Sequence, residues 1–188
     1  MDYAKDEFVA RCLHLVQRHV PPRELTILVK EFIADKDRLG DMRALARNDE
    51  ETLLYNGDDL TIVHVRLSPN VHFPPHNHHM PVIIGLYEGA EHHRIYRIDD
   101  GQPTLVGEFS IDTGDVRMLN RDVVHSVCNV ADEGYACSVN IYLGDLLRQE
   151  RNVWSHDGSE RRPYSDENYF ELAAPCDAAK PFKRPAVC

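Results

Sequence analysis

Basic charge is scarce in this chain: 21 Lys and Arg stand against 31 Asp and Glu, a formal net charge of −10. That balance argues against nucleic acid or an anionic membrane as partner, since both select basic faces. No apolar run approaches the length of a membrane span, and Met1-Asp2-Tyr3-Ala4-Lys5-Asp6 lacks the apolar core of a signal peptide. The five cysteines (Cys12, Cys128, Cys137, Cys176, Cys188) follow neither a pairing nor a CxxC pattern. Reduced thiols and a cytoplasmic location are the expectation. Repeats are missing too, and so is any sign of a second domain, so one domain over residues 1–188 is expected.

What is present changes its period along the chain. Phe8, Cys12, Leu15, Val16 and His19 fall at helical spacing between Tyr3 and Val20. Pro21-Pro22 closes that helix and opens a second. Leu25, Leu28, Val29, Phe32 and Ile33 form the apolar stripe of the second helix, which Gly40 is expected to end. Asp41 predicts the cap of a short third helix reaching Arg47, so residues 1–48 read as helical. From Glu51 the period drops from about 3.6 to 2. Strands are predicted at Thr52–Tyr55, Leu60–Leu67, Val71–His78, Val82–Glu88, His92–Ile98, Thr104–Ser110, Asp115–Leu119, Val124–Asn129 and Tyr135–Gly144. Short strands joined by Gly/Asp turns without intervening helices predict an all-β antiparallel sandwich or barrel over residues 51–147. Residues 148–188 read as polar loop, with Ser155–Glu167 unstructured, then a Pro- and Ala-rich tail over the outside.

Within the barrel one stretch concentrates chemistry. In Pro74–Glu91, PPHNHHMPVIIGLYEGAE, His76 and His78 stand two apart, which on a strand aims both rings at one face. Imidazoles in an apolar interior need a partner, and a metal ion is the obvious one. His125, alone between two short apolar strands, supplies a third ligand. His79 points to the opposite face by parity; His79, His92 and His93 are expected to face solvent, and Glu91 to be a rim carboxylate. Cys128, three after His125, falls on the face away from the metal.

The spacings resemble both sequence motifs of the cupin superfamily, G-x5-H-x-H-x3-4-E-x6-G and G-x5-P-x-G-x2-H-x3-N. Here the first runs Asn70, His76, His78, Val82, Gly89, and the second Gly114, Asn120, Asp122, His125, Asn129. Val82 stands where the motif has its ligating Glu, leaving a neutral three-histidine set. Ser138-Val139-Asn140-Ile141-Tyr142 places Ser138, Asn140 and Tyr142 on one face. It resembles the Ser-x-His-x-Tyr string of the thiol dioxygenases, the cysteine dioxygenase and mercaptopropionate dioxygenase group, and Gly85–Glu91, GLYEGAE, resembles the mercapto-acid branch of that group.

That resemblance covers roughly Tyr55–Gly144. It implies a cupin-type double-stranded β-helix (jelly-roll) barrel behind N-terminal helices. It also implies Fe(II) held by His76, His78 and His125, Ser138 as relay donor and Tyr142 as the phenol near the open coordination positions. Asn140 replaces the family's His, so it can orient Tyr142 but not pass a proton. The arginine that pairs with the substrate carboxylate has no counterpart near Tyr55-Asn56-Gly57-Asp58; Arg66, Arg94, Arg97, Arg117 and Arg121 stay unranked. The implied partners are a small thiol and O2, with neither nucleic acid nor membrane, and a homodimer is left open. Zn, Ni or Cu would also suit three imidazoles. Diketone-type C–C cleavage and a non-catalytic metal-containing sensor are the competing readings.

Overall fold

The structure, a computed structural model, describes residues 3–45, 50–131 and 133–176. Three helices come first: α1 (Tyr3–Gln17), α2 (Pro22–Ala34) and α3 (Lys36–Leu45). Pro22 sits in the first turn of α2, where a missing N–H breaks no helical bond. The predicted stripe of α2 is the buried one. Two expectations at its end are corrected. Asp35, not Gly40, closes α2, because its carboxylate accepts the backbone N–H groups of Asp37 and Arg38 and so opens α3. Gly40 and Asp41 therefore lie inside α3, and Arg47 lies outside the described residues. No described helix is long and apolar enough to cross a membrane.

Strands β1 (Glu51–Asn56), β2 (Thr61–Leu67), β3 (Val71–Asn77), β4 (Val82–Glu88), β5 (Ala90–Asp99), β6 (Gln102–Asp112), β7 (Val116–Leu119), β8 (Val124–Asn129) and β9 (Ala136–Tyr142) follow near their predicted places. One sheet runs β1-β2-β9-β4-β7 and the other carries β3-β8-β5-β6 in that order, all antiparallel. Two interleaved Greek keys of this order are a jelly roll, so the expected all-β barrel with N-terminal helices is borne out. Ile62, Ile83, Val139 and Ile141 face the helices and cluster with Phe8, Val29 and Phe32. Val63, Val65, Val82 and Ile84 face the interior and meet Phe73 and Val127 of the second sheet.

Residues after 148 do not form the expected loop. They build β10 (Asn152–Trp154), β11 (Arg161–Pro163), α4 (Asp166–Glu171) and β12 (Ala174–Pro175). This arm completes the barrel edge, since β10 and β12 both pair with β3. Ser165 caps α4 by accepting the Asn168 N–H. Of the predicted outer tail, residues 177–188 lie outside the described residues. The cysteines need correcting as well: Cys128 and Cys176 form a disulfide across a separation of 48 residues, joining the end of the arm to β8. Cys12 and Cys137 are buried and take no part in that disulfide. Burial pushes the Cys12 thiol up to about 12, which leaves it inert.

The helical layer rests on one missing side chain. An added Cβ at Gly85 would collide with Val29 Cγ1 of α2 and press on Ile33. Gly85→Ala should therefore lower stability by about 1–3 kcal/mol, the usual cost of overpacking a filled core. Urea unfolding of the variant against the parent measures it.

Candidate metal centre

The site begins with a fault in a strand. In the β3–β8 ladder Phe73 lies opposite Val127 and His76 opposite His125. Three steps along β3 thus match two along β8, and the extra residue falls at Pro74-Pro75. Neither proline has an N–H to give the ladder, which is why the bulge sits there. A one-residue bulge reverses the alternation beyond it, so Phe73 and His76 share the interior although they are an odd number of residues apart. His78 lies past the last residue of β3, in the turn that follows. The bulge turns His76 inward, and His78, two residues on and just past the end of the strand, converges with it as the two-residue spacing suggests.

One nitrogen from each of His76, His78 and His125 lies within 4.8 Å of the others. His76 donates from Nδ1 to the Pro74 carbonyl at 2.9 Å, which leaves its Nε2 free. His78 Nε2 and His125 Nε2 are 3.0 Å apart. Burial and, secondarily, the Arg151 charge bring the His76 imidazole down to about 4, although its Pro74 hydrogen bond opposes the shift. Burial and the neighbouring rings hold His78 and His125 well below the ordinary histidine range. All three are neutral near neutral pH and present lone pairs. Three buried, converging, neutral nitrogen donors are a donor set that fits a divalent metal ion. Among the described residues no carboxylate joins them: Val82 occupies the expected place, directly across the ladder from Tyr142.

The cluster opens into a cavity of about 220 Å³. Its walls are apolar on the sheet side (Val63, Val65, Ile84, Val127), and Asn140 and Tyr142 enter from β9. The Tyr142 ring packs edge-on against His78 at 5.0 Å. Burial and the charge of Glu51 raise its phenol above the usual range, and a hydrogen bond from Asn140 opposes them. Ser138 shares their strand, but its Oγ is buried without a partner, so the structure joins no Ser138 relay to Asn140.

The arm supplies what the sequence reading missed. Tyr164, Asp166 and Tyr169 form the cavity's far wall together with Arg151. Tyr169 stacks on Phe73 at 4.9 Å and meets His76 edge-on at 5.1 Å. The Arg151 guanidinium lies 3.6 Å from the Tyr164 ring centroid, while its Nε is buried without a hydrogen-bond partner. None of Arg66, Arg94, Arg97, Arg117 or Arg121 lines the cavity; Arg97 pairs with Asp99, and Arg121 donates to the His79 carbonyl.

Two further expectations are overturned on β5. Glu91 and His93 face neither rim nor solvent: they are 3% and 1% exposed and line the same cavity. The signal was available, because residues 91 and 93 alternate onto one face. His92 is half-buried, against Ser110 and Glu108, and His79 is half-buried beside Asn77.

No protein-family model matches the chain. Among solved structures it is similar to a cupin-family protein with a double-stranded β-helix fold from Methanocaldococcus jannaschii, with 14% identity, 53% of this chain and 86% of that one covered, and a TM-score of 0.41. It is also similar to an uncharacterised double-stranded β-helix protein from Klebsiella pneumoniae, at 15% identity, coverages of 56% and 80%, and a TM-score of 0.43. A vicilin from Capsicum annuum shares 12% identity over 52% of this chain at a TM-score of 0.43, and the match spans a quarter (25%) of the vicilin. The fold assignment rests on the strand order, not on these likenesses.

Two outcomes follow from the geometry. His125→Ala should abolish tight binding of one divalent metal per chain and leave the barrel's circular dichroism unchanged; full metal content in the variant refutes the cluster as the metal centre. The second outcome concerns acid. His64 is held down to about 4 by burial and by Arg66, and His72 to about 3 by burial and the His156, Arg94 and His92 charges. Below the ordinary value of 6.5 the unfolded chain takes up protons that these folded imidazoles refuse. Their contribution is whole above pH 6.5 and is lost as pH falls through about 4. The Tm of metal-free protein should drop across that window, and His64→Gln should flatten the slope.

Proposed function

We propose that this chain uses a non-haem Fe(II) at His76, His78 and His125 to oxidise a small thiol acid to its sulfinate with O2. The observation that carries the reading is the pairing of a neutral three-histidine cluster with one cation, Arg151, in a cavity that Glu51, Glu91 and Asp166 also line. Three neutral ligands would leave the metal its full positive charge, which favours an anionic thiolate. Arg151, the one Lys or Arg among the cavity's described residues, favours a second anionic group on the same substrate. When bound, Fe(II) supplies the redox chemistry that carries both atoms of O2 to sulfur.

The chain's own residues do the rest. Arg151, held over the Tyr164 ring with an unpartnered Nε, takes the carboxylate end and sets the reach of the thiol. Tyr142 keeps its proton, because burial raises its phenol, and so donates a hydrogen bond toward the reacting groups. Asn140 holds that phenol without titrating. Val63, Val65, Ile84 and Val127 keep water from the thiolate. Ser138 takes no part in this account. The competing three-histidine reaction, oxidative cleavage of a diketone, would place an enolate against the same cation, and a sensor would bind without turnover.

Oxygen uptake separates these readings. Iron-loaded protein prepared anaerobically should consume O2 with a small mercapto acid or cysteine and yield sulfinate, and a diketone panel should give none. Binding of thiols with no O2 uptake would leave only the sensor. Tyr142→Phe should lower kcat/KM by roughly ten- to a hundredfold with iron still bound, the cost of one lost charge-assisted hydrogen bond. Arg151→Gln should raise KM for the thiol acid by about tenfold or more and leave its uncharged amide analogue unaffected. Equal losses with both substrates remove Arg151 from the carboxylate role.

A further inference from the structure

Three ring nitrogens point away from the cluster, and they end differently. That of His76 donates to a backbone carbonyl, and that of His78 is buried without a partner. The third, His125 Nδ1, lies 3.3 Å from His93 Nδ1, and His93 Nε2 lies 3.0 Å from Glu91 Oε2. Glu91, His93 and His125 are 3%, 1% and 4% exposed, so the chain of contacts is buried.

We propose that Glu91 and His93 are positioning residues forming a buried relay that delivers a carboxylate's negative charge to the metal position through His125. The directions of the hydrogen bonds follow from chemistry. An ionised carboxylate only accepts, so His93 Nε2–H donates to Glu91. The lone pair of a neutral His93 is then on Nδ1, and it accepts from His125 Nδ1–H. This leaves the His125 Nε2 lone pair facing the other two ligands, as coordination requires. No proton changes hands; the carboxylate polarises two imidazoles in series and makes His125 the most electron-rich of the three ligands.

The backbone and its neighbours hold the relay in line. In the β5–β8 ladder His93 lies opposite Val127 and Ile95 opposite His125, so His93 sits diagonally across from His125. Phe109 stacks on the His93 ring at 4.8 Å and 8°, and fixes its plane. Arg117 covers the same phenylalanine at 4.7 Å. The motif's Glu position is Val82, so no carboxylate touches the metal position directly; Glu91 would reach it at second hand. A carboxylate so buried is costly unless something uses or satisfies it.

The proposal rests on the three-histidine metal reading but not on thiol oxidation, and its test contains no thiol and reads no turnover. Zn(II) affinity is measured by competition with a chelator, for the full chain and for Glu91→Gln, His93→Phe and His125→Ala. Glu91→Gln keeps the shape and an acceptor for His93 but removes the charge. It should weaken Zn(II) binding about ten- to a hundredfold, the usual range for an outer-shell partner of a metal ligand. It should also raise the midpoint potential of bound iron, which a merely space-filling Glu91 would not do. His93→Phe should weaken Zn(II) binding similarly, and His125→Ala should abolish it. Affinity within twofold of the parent and an unchanged potential in folded Glu91→Gln overturn the relay. Zn(II) binding retained by His125→Ala does so as well. If Glu91→Gln does not fold, the unaltered protein decides. Nitrogen-15 NMR of its histidines with Zn(II) bound should show the proton on Nδ1 of His125 and on Nε2 of His93, and the opposite tautomers overturn the proposal.

Discussion

The Pro74-Pro75 bulge is the constraint on which the site depends. It sets His76 opposite His125 across the β3–β8 ladder and turns it inward. Were β3 regular, Phe73 and His76 would point to opposite faces, and His76 would leave the cavity. The same proline carbonyl accepts the His76 Nδ1–H, so the irregularity that aims the ring also selects its tautomer. The free edge of β3 then receives β10 beside His76, with Val153 paired to it, and the arm that closes the cavity begins there. Orientation of the ligand, tautomer of the ligand and attachment of the far wall are thus settled within four residues of backbone.

Much of the frame was legible in the chain itself. The stripe of α2 and the bounds of β4 and β8 follow from periodicity, because each buries one face against a neighbour and nothing local contradicts the pattern. The three clustered histidines were legible for a different reason: few residue types bind metal, and these stand in an otherwise apolar context. Parity grouped His76 with His78, but it could not register the bulge that sets His76 on the same face as Phe73. Glu91 and His93 show the reverse. Alternation put them on one face, but their polarity suggested solvent, and only packing against Phe109 and β8 makes their burial intelligible.

The arm was illegible for a physical reason. Its strands hold two or three residues each, too few to show a period, and they exist because β3 offers an unpaired edge. A polar composition over residues 148–176 therefore concealed ordered structure. Local signals were there: Ser165 before Asp166 and Glu167 is a helix start, and the lone Trp154 is expensive to expose. The disulfide could not be read in advance either. Cys128 and Cys176 meet because β12 pairs with β3, which itself pairs with β8.

The distribution of charge ties these parts together. Burial makes each imidazole neutral, and apolar walls stand beside them, so the charged groups that line the cavity, Glu51, Glu91, Asp166 and Arg151, count for more than they would in water. Arg151 stands at the arm's side of the cavity, and Glu91 lies behind His93 on β5. In the proposed function Arg151 is the cation that meets a substrate anion, with no carboxylate among the three clustered side chains to repel it. The negative charge that a motif glutamate would have placed against the metal is instead set two imidazoles away, where it can enrich a ligand without occupying a coordination position. In the proposed function Val82 is then more than the loss of a ligand: an apolar side chain across the ladder from Tyr142 leaves room in the cavity for an anion that a glutamate there would repel.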